Sequence, residues 1–402
     1  MIENLMTQKQ KHIVHLINRI NFGGLERKLE QFVHRYPAAD ARHTVLALEE
    51  KGGFLTEFNN CAHVTTIPLG IKPSSNYVST LSRRVGPILS NLKKMGEIDI
   101  VHSWSYPGHA YLAPIQAFLP HIKGRVLAMD LNVMVRPLEE DSLQFKLGTA
   151  LVRRIAANRN SRVVSISPEM NQGLLARAFK PDNIRFISNG ISADYFSPQE
   201  GATESVKDEL HLSHVRDLVG IASRHGITEN ETYKDVPGFV YAVAALKQKD
   251  PELYSQTGFV ICGLGTNKGD LQQLAHQLGV AENVRTLGPR TDMPRLYSSW
   301  RISNTCSISE PFGLVVPEAM ACETPCVVTD TSLFPEMVGE TGRVVPIGDP
   351  EARADAWQEL LTMPDTEYRI MAQAARARVQ EKYSHEAMVR EYVDLYSELA
   401  AK

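Results

Sequence analysis

Short, nearly uninterrupted apolar runs recur along the whole chain, and segments of helical periodicity separate most of them. The first half holds HIVHLI (12–17), HTVLAL (43–48), DIVHSW (99–104), RVLAM (125–129), RVVSIS (162–167) and IRFIS (184–188). The second half holds DLVGIAS (217–223), GFVICG (258–263), VRTLG (284–288), ISNTCSI (302–308), CVVTD (326–330) and GRVVPI (342–347). A strand that is apolar throughout must be covered on both faces, as parallel strands are when helices pack above and below them. The alternation therefore predicts βαβ units wound into doubly wound parallel sheets, an α/β fold. At 402 residues the chain is too long for one ordinary core. The stretch 194–214 carries Pro, Gly, Ser and charge with little apolar periodicity, so the expected division is 1–198 and 199–383. Ser167-Pro168 and Asp349-Pro350 read as helix caps followed by a first-turn proline.

Composition removes several classes of function. With 43% hydrophobic and 22% charged residues the chain is globular rather than disordered. A net charge of −3 excludes general affinity for nucleic acid. The five cysteines are odd in number, form no C-x-x-C pair and have no clustered histidines beside them, so neither a disulfide framework nor a metal site is expected. The opening residues MIENLMTQKQKHIVHL lack the apolar core of a signal peptide, and no apolar run approaches the roughly 18 residues of a membrane span. A cytoplasmic location is the expectation.

Three stretches can carry chemistry. In NFGGLER (21–27), Gly23 and Gly24 follow the first strand and precede a helix, where free N–H groups suit a phosphate. In SRHGITENETYKDVPGF (223–239), Arg224 follows a strand and Lys234 precedes a helix. Two cations at strand ends can clamp a diphosphate. In SEPFGLVVPEAMACETPCVVTD (309–330), Glu310 precedes Pro311, Phe312 and Gly313, and Gly313 should open a helix. The N–H groups of Gly313, Leu314 and Val315 then face outward, with Glu318 one to two turns along. Carboxylates flanking a bound phosphate can accept hydrogen bonds from sugar or ribose hydroxyls.

The stretch EPFGLVVPE resembles the E-x7-E motif of the family 4 (group 1) retaining glycosyltransferases, which have the GT-B fold. EAMACETPCVVTD, FISNGISADYFSP (186–198), FVICGLGTNKGDLQQLAHQLGVAENVRTLGPRTDMPRLY (259–297) and GETGRVVPIGDPEA (339–352) are similar to the same family. The resemblance spans essentially the whole chain and is most specific over 184–352. It implies two Rossmann-like domains facing across a deep cleft, the first for the acceptor and the second for a nucleotide-sugar donor. It also implies a C-terminal helix, about 384–402, packing back on the first domain. By position, Glu310 binds hydroxyls of the transferred sugar, Arg224 and Lys234 neutralise the leaving diphosphate, and Glu318 takes the ribose. Gly23 and Gly24 approach the phosphates, the backbone around Arg290 borders the base, and Gly263 and Gly265 shape the nearby wall. Many members place a histidine after the strand at 125–129; here Asp130 stands there, with His109 and His102 as other candidates. Pro311 stands where the family usually has glycine. Glu323 also replaces a usual glycine, in a turn that would be strained if it needs positive φ.

The implied reaction is a metal-independent, same-face displacement without a cofactor, the nucleotide sugar being a co-substrate, UDP- or GDP-linked. The implied acceptor is a glycan, a lipid-linked or a small molecule in polysaccharide or glycoconjugate biosynthesis. Many relatives work at the inner membrane surface. Residues 79–95 read as a helix interrupted at Gly86-Pro87, with Leu81, Val85, Ile88, Leu89 and Leu92 along one side and Arg83, Arg84, Lys93 and Lys94 nearby. Such a helix can lie on an anionic bilayer, and peripheral membrane contact is an expectation. A second basic run includes Lys146, Arg153, Arg154, Arg159 and Arg162. The alternatives are a non-catalytic nucleotide-sugar-binding subunit and a GT-B-shaped sugar-nucleotide epimerase. A nicotinamide dehydrogenase should show G-x-G-x-x-G after its first strand, and NFGGLE does not.

Overall fold

The computed structural model describes residues 10–18, 24–49, 58, 60–71, 77–104, 109–128, 143–226 and 231–401. In chain order the elements begin β1 (Lys11–Ile17), α1 (Gly24–Arg35), β2 (Ala41–Ala47), β3 (Val64–Pro68), α2 (Tyr77–Lys94), β4 (Ile100–Ser103), α3 (Leu112–Phe118), β5 (Gly124–Ala128), α4 (Leu143–Ala156), β6 (Ser161–Ser165), α5 (Pro168–Ala176) and β7 (Ile184–Phe186). They continue α6 (Ala202–Glu209), β8 (Asp217–Ala222), α7 (Val236–Lys249), α8 (Pro251–Ser255), β9 (Thr257–Cys262), α9 (Asp270–Gln277), β10 (Val284–Gly288), α10 (Met293–Ser299) and β11 (Ile302–Asn304). The last are α11 (Val315–Ala321), β12 (Cys326–Thr329), α12 (Phe334–Val338), β13 (Arg343–Val345), α13 (Pro350–Thr362), α14 (Asp365–Lys382) and α15 (His385–Ala400). Two compact units result, Met1–Ser188 with His385–Lys402, and Asn189–Ser384.

The first unit is a parallel sheet of order β3-β2-β1-β4-β5-β6-β7. From β1 to β3 the chain steps one way across the sheet, and from β3 to β7 it runs back the other way. Right-handed crossovers therefore put α1 on one face and α2 to α5 on the other. In agreement, α3 touches both α2 and α4. The C-terminal α15 packs on α1 and over β4 and β5. Gly124, the first residue of β5, admits it, since a Cβ there would come within 2.8 Å of Leu399. Helix α2 runs unbroken through Gly86-Pro87, which corrects the expected interruption. Its Ile88 and Leu92 are buried in the unit, so this part of its apolar side faces the protein and not a membrane.

The core of this unit is unusually rich in histidine. Trp104 Nε1–H donates to His15 Nδ1 at 2.9 Å, so the proton of His15 sits on Nε2 and is shared with His43 Nδ1 at 2.8 Å. His102 meets the Tyr396 hydroxyl at 2.6 Å. Burial holds His15, His43 and His102 well below the usual imidazole range.

The second unit is a parallel sheet of order β10-β9-β8-β11-β12-β13. It begins at Asn189 rather than at 199 because residues 190–200 are tied to it. The Arg376 guanidinium donates to the carbonyls of Ala193 (3.2 Å) and Phe196 (3.1 Å), and Gln199 N–H donates to Ser298 Oγ at 3.0 Å. Phe239, Phe259 and Trp357 centre its core. Both expected caps form: Ser167 Oγ accepts from Met170 N–H at 3.2 Å, and Asp349 Oδ1 accepts from Ala352 N–H at 2.9 Å. Helix α11 ends in a Schellman turn. Thr324 N–H bonds back to Ala319 O and Glu323 N–H to Met320 O, each at 3.1 Å. This places Glu323 at φ +60°, the left-handed region anticipated for it.

Candidate functional site

A cavity of about 280 Å³ opens in the second unit where β8, β9 and β11 end. Carboxyl ends of parallel strands leave loops and helix starts facing a common space, which is where ligands bind in such sheets. Ala222, Ser223 and Arg224 come from the end of β8, Gly263 from β9, and Thr305 and Ser307 from beyond β11. Met293 and Tyr297 come from α10, and Leu314, Val315 and Glu318 from the start of α11. Lys234 and Glu310 complete the wall and form an ion pair with each other. Both are largely shielded, with side-chain exposures of 15% and 12%. Little water screens the pair.

Backbone geometry builds this wall. Gly313 has φ +78°, and a Cβ there would come within 2.6 Å of the Phe334 ring. Only glycine lets the loop after Glu310 turn into α11. The helix starts two residues later than expected, at Val315, because Gly313 forms the turn itself. Val316 N–H makes the first backward bond, to Gly313 O at 3.1 Å. The N–H groups of Leu314 and Val315 precede that ladder, as the opening amides of a helix do. Gly263 has φ +129°, and a Cβ would overlap the Ser223 carbonyl, so the chain beyond β9 can lie this close to the chain beyond β8 only with glycine there. Thr329 Oγ1 donates to Ser307 O at 2.6 Å, and Ile308 N–H to Tyr233 O at 2.7 Å, fixing the loop that carries Glu310 beside the one that carries Lys234.

Glu318 faces the cavity and is otherwise surrounded by protein. The Tyr297 hydroxyl donates to its Oε2 at 3.0 Å. Burial pushes the Glu318 carboxyl up to about 7, and the Tyr297 hydroxyl opposes that shift by stabilising the ionised form. A carboxylate poised near neutrality at a cavity mouth is a strong acceptor for hydroxyls and answers to pH.

The structure therefore gathers Arg224, Lys234, Gly263, Glu310, Gly313, Leu314, Val315 and Glu318 around one space. Phe312 is buried behind it, near Tyr383. Gly265 lies in the adjoining turn at φ +88° and off the cavity lining. Arg290 also lies off it, engaged by Asp292 at 2.8 Å and Glu209 at 2.6 Å. Gly24 opens α1, and His109 is buried with Nδ1 2.8 Å from Ser103 Oγ; both belong to the first unit. Gly23 and Asp130 lie outside the described residues. Tyr297, Ser223, Met293, Thr305 and Ser307 line the cavity without having been anticipated. The serines and Thr305 follow strand ends, a usable signal, whereas Tyr297 sits in an ordinary amphipathic helix. Among the described residues no cluster of metal-ligating side chains occurs.

Residues 228–378 match the family described as Glycosyl transferases group 1, and residues 22–195 match Glycosyltransferase Family 4. The chain is 33% identical over 226 residues to a D-inositol 3-phosphate glycosyltransferase of Corynebacterium jeikeium, a match covering 54% of this chain and 52% of that protein. The chain thus spans about half the length of this relative. Against an alpha-maltose-1-phosphate synthase of Mycolicibacterium smegmatis it is 28% identical over 327 residues, 75% of this chain and 78% of the relative. Among solved structures, Anabaena HepE in complex with UDP and glucose superposes with a TM-score of 0.72 at 19% identity, covering 96% of this chain and 99% of that one. A Rickettsia africae glycosyltransferase gives 0.76 at 19% identity, covering 98% and 99%. These likenesses establish the GT-B fold, and with the two family matches, which together run from residue 22 to 378, the chain belongs to the group 1, family 4 glycosyltransferases.

Proposed function

We propose that the protein is a retaining glycosyltransferase that takes a sugar from a UDP- or GDP-linked donor bound in the second-unit cavity. The acceptor is a hydroxyl of a glycan, a lipid-linked or a small molecule in polysaccharide or glycoconjugate synthesis. The observation that carries this reading is the shielded Lys234–Glu310 pair lining one cavity together with Arg224 and Glu318. Cations there neutralise the diphosphate as its bond to the sugar breaks, and the carboxylates accept from hydroxyls. The bond from sugar C1 to the diphosphate oxygen breaks, the acceptor oxygen attacks C1 from the same face, and its proton passes to the departing diphosphate. The residues position reactants and stabilise charge, and none is required as a covalent nucleophile. Glu310 orients the sugar and Glu318 the ribose. Gly263, Gly265 and the backbone at Arg290 border the nucleoside, and Phe312 supports the Gly313 turn. Gly23, Gly24, Asp130 and His109 are assigned to the first unit's side of the reaction. The reaction runs without metal or other cofactor, in the cytoplasm and with peripheral membrane contact. The UDP held by HepE makes UDP the base to test first.

The test is thermal stabilisation by nucleotides and nucleotide sugars, followed by turnover in a chelator. A nucleotide sugar is expected to raise the melting temperature of the wild type without metal. Lys234→Ala should lose at least about tenfold in kcat/KM, because it removes charge stabilisation and leaves Glu310 unpaired. Stabilisation without turnover on any acceptor would favour a nucleotide-sugar-binding subunit, and stabilisation by no nucleotide would defeat both.

A further inference from the structure

We propose that a second cavity of the second unit, between the starts of α7 and α13, binds a pyranose sugar through its hydroxyls. The cavity measures about 220 Å³, and its lining includes Asp235, Gly238, Tyr241, Asp349 and Arg353. It shares no lining residue with the cavity around Glu310, although Lys234 lines that one and the next residue, Asp235, lines this one. Arg353 is the group that calls for a ligand. It is 3% exposed, so its charge is almost wholly removed from water. Its Nη1 donates to Asn304 Oδ1 at 3.3 Å and to the Val327 carbonyl at 3.4 Å, both long bonds. Among the described residues its Nε and Nη2 have no hydrogen-bond partner, and no carboxylate pairs with it. A guanidinium buried this far without an acid is costly, and two of its three nitrogens remain to bond what enters the cavity.

The acids decide what fits. Asp235 and Asp349 each cap a helix with one oxygen. Oδ1 of Asp235 accepts from Gly238 N–H at 3.2 Å, and Oδ1 of Asp349 from Ala352 N–H at 2.9 Å. The second oxygen of each makes no hydrogen bond among the described residues. Asp235 takes the left-handed region at φ +42°, and Gly238 makes room for its carboxyl, since a Cβ there would come within 2.3 Å of Oδ2. Burial raises the Asp235 carboxyl, while the Gly238 amide and the charge of Arg353 pull it back down. Two carboxylates beside one guanidinium disfavour an anion such as phosphate, and the guanidinium disfavours a metal cation. A hydroxyl suits both groups, because it accepts from Arg353 and donates to an aspartate at once. Several hydroxyls on one small ring satisfy the open groups together. Tyr241 is 47% exposed at the same cavity and offers an aromatic face to the C–H side of that ring.

This inference does not depend on the donor reading, because binding is measured without nucleotide or acceptor. D-glucose, D-galactose, D-mannose and N-acetyl-D-glucosamine are each titrated into the full chain and followed by NMR, as are inorganic phosphate and the zwitterion glycine. At least one sugar is expected to bind, and phosphate and glycine are not. Tyr241→Ala and Arg353→Met should each weaken that sugar by about tenfold, whereas Glu310→Ala, in the other cavity, should leave its affinity unchanged. If Arg353→Met does not fold, Tyr241→Ala decides alone, because that side chain is exposed. Binding of none of the four sugars overturns the proposal, and so does binding that either folded variant leaves unchanged. Loss of binding in Glu310→Ala would put the sugar in the other cavity. Uptake of phosphate or glycine without sugar would give the guanidinium an anionic partner. Either result overturns the proposal as well.

Discussion

Tyr297 decides how Glu318 presents itself. Its ring is buried against Trp300 and Phe196, so the hydroxyl that donates to Oε2 cannot turn away without disturbing packing. That bond favours the ionised carboxyl, while burial favours the neutral one and raises its pKa to about 7 from an ordinary 4.5. A raised carboxyl pKa stabilises the fold most at low pH, and that contribution disappears as pH rises from about 4.5 through about 7. Hydroxyl donors run the other way, because they bind the ionised form and gain as pH rises through the same window. Tyr297→Phe should shift the midpoint of nucleotide affinity against pH upward and raise Kd about tenfold at pH 7. Titration calorimetry across that range checks it; an unmoved midpoint would show that the hydroxyl has no hold on Glu318. Glu310, Gly313 and Glu318 were legible in the sequence because their order and spacing are local to one loop and helix. Tyr297 was not, because its contact with Glu318 spans 21 positions and depends on how α10 meets α11.

At the scale of elements, the end of α11 shows a local rule broken and then tolerated. The Schellman turn needs a residue at positive φ, and Glu323 takes it at +60° where a glycine would fit without cost. A side chain in the left-handed region costs about 1–2 kcal/mol. Glu323→Gly should therefore raise the melting temperature by a few degrees, while nucleotide binding stays unchanged because Glu323 does not line the cavity. Calorimetry decides it, and a lower melting temperature would mean the side chain makes a compensating contact. Strand β3 was not anticipated at all. Its sequence VTTIP carries little apolar signal, because it is the edge of the first sheet and buries only Val64. In α2 the local signal points the other way from the fold: Gly86-Pro87 reads as a break, and the helix passes through it. The helix continues because Ile88 and Leu92 beyond the proline are held in the core.

At the scale of the whole molecule, the buried histidines tie stability to acidity. His15, His43 and His102 are kept neutral in the folded state, whereas unfolded histidines take up protons below about pH 6.5. Their folded values are depressed, so the stability they confer is fully present above about pH 6.5 and is lost as pH falls below it. The melting temperature should fall steadily from pH 7 to pH 5, followed by calorimetry in buffers of matched ionic strength. A flat profile would show that these imidazoles already carry protons or keep access to water.

Apolar runs spaced by helical segments were enough to imply two parallel α/β sheets, because a strand covered on both faces must be apolar along its length. Glycine and carboxylate spacing in 309–330 was enough to mark the candidate site, because turn geometry and helix starts are set by neighbours in the chain. Only the tertiary structure decided which distant groups meet. It joined Lys234 to Glu310 and Tyr297 to Glu318. It also gave residues 189–198 to the second unit. It turned Ile88 and Leu92 inward and left Leu147 and Leu151 facing out. Each of these depends on which surfaces exclude water from one another, and that is settled by packing across the fold rather than by order along the chain.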